Sequence, residues 1–98
     1  MSGPAKTGSS IKKISGGKLV RVDVVYSKHV ERVKITGDFF LHPEELIIEI
    51  EESLAGADIP IIKSVLVERV EAILSHHDAI LIGFSPDDLI TVLMDTIQ

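Results

Sequence analysis

Four histidines are the first residues in this chain whose side chains could do chemistry, as ligands of a metal ion. The neighbours His76 and His77 point to different sides of a helix, so they do not combine into one metal site. His29 and His42 fall in a predicted turn and at a predicted helix start. We therefore interpret all four as solvated side chains, and the sequence predicts no metal site.

A run of carboxylates is the second candidate, because it could supply an acid–base pair or a Mg²⁺ site. Its members lie on the first predicted helix: Glu44, Glu45, Glu49, Glu51 and Glu52. Catalytic carboxylates need burial to alter their proton affinity, and these face the polar side of the helix. A solvated helix surface is the better interpretation.

The glycine-rich triplet at residues 16–18 is the third candidate, because glycine-rich loops can bind phosphate. It is shorter than a phosphate-binding loop and lacks the Ser or Thr that would contact Mg²⁺. It also precedes a predicted strand, whereas a phosphate-binding loop precedes a helix. The scattered Ser and Thr residues form no Ser-His-Asp setting, so the sequence predicts no catalytic residue in this chain.

Composition narrows the function classes further. The 98 residues fit one domain, and the 45% apolar content supports a packed core. The net charge of −5 argues against a nucleic-acid partner, because phosphate binding needs clustered Lys and Arg. The lack of cysteine excludes disulfides, thiolate zinc sites, iron–sulfur ligation and thiol nucleophiles. No apolar run reaches the roughly 18 residues of a membrane span, so we expect a cytoplasmic protein without a membrane partner.

The elements that position any surface are predicted from hydrophobic period and turn chemistry. Residues 1–16 are rich in Gly and Ser and lack an apolar period, so we expect a flexible N-terminal arm, with the domain spanning 17–98. Two alternating runs then predict an antiparallel hairpin with Val24 opposite Val33 and Asp23 opposite Lys34. Its loop is predicted to have four residues, 27–30.

Three helices are predicted to follow the hairpin. The first should span about 43–54, and the second about 60–76 with Asp58 as its cap. The third should begin with Ser85 as its N-cap and proline at its first position. Segment 78–84 fits either a helix tail or a third strand. We expect an α+β fold, an antiparallel β-hairpin or small sheet packed against about three α-helices.

Two of the predicted helix starts carry nearly the same string. LHPEELI occupies residues 41–47 and FSPDDLI occupies residues 84–90. One interpretation is an internal duplication. The other is that the same capping chemistry produced the string twice, because proline and acidic residues both favour the first turn of a helix.

The connector before the first helix holds two of the chain's three phenylalanines, Phe39 and Phe40, beside Asp38. Adjacent residues in an extended segment point to opposite sides, so one ring can enter the core while the other cannot easily follow. Either both rings bury, one under each helix, or one stays on the surface as an aromatic anchor for another protein.

The order of these segments resembles the C-terminal accessory domain of lipoate–protein ligases. The similarity lies in GGKLVRVDVVY, VERVKITGDFF and HPEELI, followed by a helix that ends in LAG, and it covers residues 16 to about 56 well. The string ITGDFF at 35–40 is its most specific part. Beyond residue 56 the similarity is looser and rests on the placement of the helices and of GFSPDDLI.

This resemblance implies a detached accessory domain that serves as a separate subunit to a catalytic ligase chain. The partner would bind ATP, Mg²⁺ and lipoate, form lipoyl-AMP and transfer the lipoyl group to a lysine of a carrier protein, while this chain alone binds no cofactor. The family pattern marks a set of residues that we expect at the partner interface: Lys18, Gly37, Asp38, Phe39, Phe40 and Glu44.

Two other function classes compete with this one. Small α+β scaffolds of sulfur transfer and iron–sulfur assembly look similar, but those functions need a cysteine, which this chain lacks. A non-catalytic adaptor or an RNA-binding module is the other alternative, because fold does not fix function. The basic strand positions Arg21, Arg32 and Lys34 are few against the acidic whole, which disfavours nucleic acid.

Overall fold

The computed structural model describes residues 4–14, 16 and 18–97. Within these ranges the elements follow in the order β1 (Lys6–Lys13), β2 (Leu19–Tyr26), β3 (Val30–Gly37), β4 (Phe40–His42), α1 (Leu46–Leu54), α2 (Lys63–His76), β5 (Ile80–Ile82) and α3 (Pro86–Thr96). The predicted α+β class, with antiparallel strands and three helices, is confirmed. No helix among the described residues is long and apolar enough to span a membrane.

The predicted hairpin is the centre of a three-stranded antiparallel sheet in the order β1-β2-β3. Its register is confirmed, with Val24 opposite Val33 and Asp23 opposite Lys34. This register holds because a shift of one residue would turn every apolar side chain of a strand to the wet face. The inward row is buried and comprises Val20, Val22, Val24, Tyr26, Val33 and Ile35.

The loop of the hairpin is one residue shorter than predicted, because Val30 belongs to β3 and pairs with Tyr26. Val30 is held from its other side by the turn that follows α1. Its N–H donates to the carbonyl of Ala57 at 2.9 Å, and its carbonyl accepts the N–H of Gly56 at 2.6 Å. These bonds keep Val30 extended and leave only residues 27–29 in the loop.

The flexible arm expected at residues 1–16 is wrong for Lys6–Lys13, which form β1 and pair with β2 along their whole length. Most side chains of the strand are exposed, which explains its weak apolar pattern, and at Gly8 the strand passes too close to the end of α3 for a larger side chain. A Cβ at Gly8 would lie 2.1 Å from the carbonyl oxygen of Thr96. Residues 1–3 and 15 of the expected arm, and residue 17 at the start of the expected domain, lie outside the described ranges.

Helices α1 and α3 cover one face of the three-stranded sheet, and α2 packs on these two helices. Helix α3 packs on β1 and β2, α1 packs on β3, and α2 packs on α1 and α3. The helices contribute a buried set of apolar side chains to the core: Leu46, Ile50, Leu54, Leu66, Val70, Leu89, Ile90, Val92 and Leu93. The opposite face of the sheet has no helix on it among the described residues.

Two helices begin three residues later than predicted, whereas the third begins as predicted. Residues 43–45 form a turn in which the N–H of Leu46 donates to the carbonyl of Pro43 at 3.2 Å. Asp58 does not cap α2, because the N-cap position is Ile62, four residues later. The carboxylate of Asp58 lies 3.3 Å from the ring of His29 instead. Ser85 caps α3 through a reciprocal capping box with Asp88. A cap held within one turn is local, so only that start could be predicted reliably.

Candidate partner-binding surface

Strands β4 and β5 form a separate two-stranded antiparallel sheet, which settles the open segment before α3 as a strand. Phe40 pairs with Ile82, Leu41 with Leu81, and His42 with Ile80. Directly opposite residues share a face, so the middle pair lies on one side and the two flanking pairs on the other. Leu41 is buried and Leu81 packs against the core, so the flanking pairs point to solvent.

This outward surface, which we name the Phe40 face, consists of Phe40, His42, Ile80 and Ile82. Phe40 is 53% exposed, Ile80 is 51% exposed and Ile82 is 57% exposed. Three large apolar side chains therefore stand together on a sheet of six residues. Contiguous apolar side chains on a surface indicate an interaction site, whereas single ones need no explanation.

Phe39 has the opposite environment. Its ring packs edge-to-face on the buried Phe84, with ring centroids 4.9 Å apart at an angle of 79°. Gly83 permits this approach, because a Cβ there would lie 3.0 Å from the Cβ of Phe39, and its φ of +124° disfavours other residues. The expectation that both rings bury is wrong, and the alternative in which one ring stays exposed describes their placement.

Gly37 and Asp38 explain how the chain leaves the large sheet. The N–H of Asp38 donates to the carbonyl of Leu19 at 3.1 Å, and the carboxylate of Asp38 accepts the N–H of Leu19. A Cβ at Gly37 would lie 2.2 Å from that same carbonyl oxygen. These two residues therefore close the end of the β2–β3 ladder and direct the chain into β4.

An open cleft of about 300 Å³ adjoins the Phe40 face. Its lining exposes polar and apolar surface in similar amounts and comprises Ile35, Thr36, Gly37, Phe39, Phe40, Leu41, Glu44 and Ile47. Glu44 is exposed and is the only ionisable side chain in that lining. The cleft could hold an apolar side chain of a partner, with Glu44 available to a cation beside it.

Lys18 is the last of the predicted interface residues. Its side chain is exposed and its stem runs beside Gly83, 3.5 Å from the position that a Cβ there would take. Four of the six predicted residues thus line the cleft, while Lys18 and Asp38 are not part of its lining. Their role in binding a partner stays a prediction.

Several groups considered earlier for catalysis have structural partners. Glu51 accepts the N–H of Ile35 at 2.7 Å, which satisfies a donor at the outer edge of β3. Glu49 lies 3.3 Å from the ring of His77. No cluster of three or more His, Cys, Asp or Glu that could hold a metal ion occurs in the described part of the chain.

The resolved pKa shifts lie away from the Phe40 face, on the outer face of the large sheet. The hydrogen bond from Arg21 holds the pKa of Asp23 below its ordinary value of 3.8 against the opposing effect of burial, and Ser9 and Lys34 lower this pKa to a lesser degree. The same hydrogen bond raises the pKa of Arg21.

Ile80 and Ile82 are the surface residues that sequence reasoning missed. Their segment, AILIGF, does alternate, since Leu81 lies between them, but three residues are too few to separate a strand from a helix tail. The usable signal was Gly83, because an isolated glycine next to a short apolar run indicates a close approach of another segment.

Comparison with known proteins gives one informative result. No family model matches the chain, and no curated protein matches it. A chain in a solved structure of an archaeal lipoylation system from Thermoplasma acidophilum, described as a bi-partite lipoate protein ligase and its E2 lipoyl domain, is similar with a TM-score of 0.73. The two chains are 24% identical over 91% of this chain and 96% of that chain.

This chain has the fold of that archaeal chain. The similarity extends over nearly the full length of both chains. It therefore reaches well beyond residue 56, where the resemblance in sequence became loose. At this level of identity the likeness shows the fold.

Proposed function

We propose that this chain is the accessory subunit of a two-chain lipoate–protein ligase and that it binds the separate catalytic chain through the Phe40 face. With that partner it enables ATP-dependent formation of lipoyl-AMP and lipoylation of carrier-domain lysines. ATP, Mg²⁺ and lipoate bind to the catalytic chain. This chain supplies positioning and contact, and it works in a heterodimer in the cytoplasm.

The observation that carries the proposal is the uncovered Phe40 face on a fold shared with a chain of a bi-partite ligase system. A two-chain enzyme needs a surface that recognises the second chain, and buried aromatic anchors carry much of the energy of such surfaces. Phe40 fits that role because its ring is exposed while its backbone is fixed by pairing with Ile82. A rigid anchor loses little conformational entropy on binding.

The chemistry of the reaction explains why such a subunit is useful. Adenylate formation needs the carboxylate of lipoate held in line with the α-phosphate of ATP and shielded from water. Transfer of the lipoyl group then needs the same site open to a protein. A separate domain that closes over the site and then moves away meets both needs.

Reconstitution tests the proposal directly. The catalytic ligase chain of the source organism is incubated with ATP, Mg²⁺ and lipoate, with and without this chain, and lipoyl-AMP is measured. We expect the adenylate to form only when both chains are present. A catalytic chain that forms the adenylate equally well alone would overturn the proposal.

Variants of the Phe40 face test the surface. Phe40→Ala is expected to weaken binding to the catalytic chain about 30-fold, the effect of losing about 2 kcal/mol at an aromatic anchor. Ile82→Ala should weaken it less. The matched control is Ile48→Ala on α1, because Ile48 is 56% exposed, almost as much as Ile82. Equal affinities for the Phe40→Ala and Ile48→Ala variants would remove the Phe40 face from the interface.

A further inference from the structure

The outer face of the three-stranded sheet is a second uncovered surface and has a different chemistry. The register places rows of outward residues across the sheet, with Ser9, Asp23 and Lys34 in one row and Thr7, Val25 and Arg32 in the next. Lys13 and Arg21 extend the cations toward the other end of the sheet. We name this surface, with its four cations Lys13, Arg21, Arg32 and Lys34, the basic face.

Charge is divided sharply between the two halves of the chain. Residues 1–37 carry eight Lys and Arg against two Asp and Glu, a net charge of +6. Residues 38–98 carry two Lys and Arg against thirteen Asp and Glu, a net charge of −11. The overall charge of −5 is therefore the sum of a basic N-terminal part, which contains the three-stranded sheet, and an acidic C-terminal part, which contains the helices. Such a separation produces a directed electrostatic field around the protein.

Most cations of the basic face form no ion pair with another described residue of the protein. Its single carboxylate, Asp23, bonds to Arg21 through two contacts of 3.0 and 3.1 Å. Within the described residues Arg32, Lys34 and Lys13 have no ion-pair partner. Asp23 thus fixes Arg21 in place. Lys34, which lies opposite Asp23, acts on that carboxylate through its charge and makes no direct ion pair with it.

We propose that the basic face is a docking surface for an acidic patch on another folded protein, with Arg32 and Lys34 as its main contacts. The two side chains flank an open depression of about 550 Å³ that Ser9, Asp23 and Val25 also line. The depression can receive carboxylate side chains, and the Arg32 guanidinium can bind one of them through two parallel hydrogen bonds.

The same surface fits a protein better than a nucleic acid. All four aromatic residues of the chain lie elsewhere, since Tyr26 points inward and the three Phe residues lie outside the sheet, so no ring is available for stacking on bases. Apolar side chains stand among the cations instead, as Ile11 and Leu19 are exposed there.

This inference goes beyond the proposed ligase role and does not need it, because the basic face and the Phe40 face share no residue. Its test uses no ligase. The uniformly ¹⁵N-labelled chain is titrated with poly-L-glutamate at about 20 mM salt, where electrostatic contacts are weakly screened. We expect shift changes confined to amides of β1, β2 and β3, and binding that weakens as salt is raised.

A matched pair of double variants separates a local site from overall charge. Arg32→Gln with Lys34→Gln and Lys12→Gln with Lys63→Gln both lower the net charge by the same amount. Lys12 lies on the helix-facing row of β1, opposite Val20, and Lys63 lies on α2. We expect the first variant to raise the Kd about tenfold and the second less than about twofold.

Three results would each overturn the proposal. The first is an equal loss of affinity in both double variants, which would reduce the effect to net charge. The second is tighter binding to duplex DNA or to vesicles containing phosphatidylserine than to poly-L-glutamate. The third is salt-sensitive self-association of the chain in sedimentation that the Arg32 and Lys34 variant abolishes, because the occupant would then be the acidic layer of a second copy.

Discussion

The two sheets of this protein use the same alternation of side chains in opposite ways. In the three-stranded sheet the apolar row, including Val22 and Ile35, lies under the helices and the charged row faces water. In the two-stranded sheet Leu41 meets the core, and the row that faces water is again apolar, with Phe40 and Ile82. The first arrangement is complete within the chain. The second has an apolar surface with no cover among the described residues.

The difference shows that alternation alone does not identify a core. The alternation of side chains along a strand determines which residues share a face, whereas the elements packed on that face determine whether it is buried. A short strand with apolar residues on both faces is therefore a signal for a missing partner. The predictions that follow test whether the two sheets differ as described, from the largest expected effect to the smallest.

The sharpest test changes the same residue type in each sheet. Ile35→Ala is expected to lower the free energy of unfolding by about 2–5 kcal/mol, since it removes buried volume from the core. Ile82→Ala should change it by less than about 0.5 kcal/mol, because more than half of Ile82 is already exposed to water. Denaturant unfolding measures both. Similar losses in the two variants would mean that the small sheet is as buried as the large one.

The adjacent phenylalanines divide the small sheet into a structural side and a binding side. Phe39→Ala should cost about 2–3 kcal/mol, less than a fully buried ring, through loss of its contact with Phe84. Phe40→Ala should leave the unfolding free energy within about 0.5 kcal/mol. Thermal unfolding of the two variants measures both effects. A Phe40→Ala variant less stable than Phe39→Ala would contradict the assignment of Phe39 to the structural side and Phe40 to the binding side.

The N-terminal strand can be tested through its close contact with α3. Gly8→Ala should destabilise the protein by about 1–3 kcal/mol, because the added methyl group would collide with the backbone of Thr96. Thr7→Ala is the control, since Thr7 is exposed on the outer face. Hydrogen exchange should show lost protection in β1 of the first variant only. Unchanged protection in both would mean that β1 does not pack on α3.

The smallest effect concerns the wet face of the large sheet. Arg21 holds the pKa of Asp23 below 3.8, so this interaction stabilises the folded state above that pH and is lost as the pH falls through the lowered pKa. Asp23→Asn should therefore lower Tm slightly at pH 7 and hardly at all at about pH 2.5. An equal decrease of Tm at both pH values would assign the effect to packing.

Local chemistry was the part of the fold that could be predicted. The hairpin register followed from two valine rows and the pairing of Asp23 with Lys34. The start of α3 followed from Ser85 and Asp88, which lie within one turn of each other. In both cases the partners are close in sequence or joined by one short loop, so few alternatives compete.

The twin strings LHPEELI and FSPDDLI show the limit of the same approach. Ser85 accepts the N–H of Asp88 and begins a helix at Pro86. The equivalent His42 lies instead in β4, opposite Ile80, and α1 begins only at Leu46. Similar letters therefore gave different structures, because only the second string supplies a cap and the first is committed to a strand partner 38 positions away.

The sequence predicted only one of the two segments that form the candidate surface. The sequence directed attention to Phe39 and Phe40 and stated that they should diverge, because neighbours in an extended segment point apart. It gave no means of deciding which ring faces outward. It also omitted Ile80 and Ile82, which join Phe40 only through pairing of β4 with β5.

By itself the sequence determined the α+β class, the hairpin and its register, and the absence of cysteine chemistry, since each depends on composition or on contacts over a short stretch of chain. Only the tertiary structure decided that residues Lys6–Lys13 form a strand, that β4 pairs with β5, and that Phe40 is exposed. Those features come from contacts between distant segments, such as Gly8 with Thr96 and Phe40 with Ile82. Their stability depends on the packed whole, which no local pattern encodes.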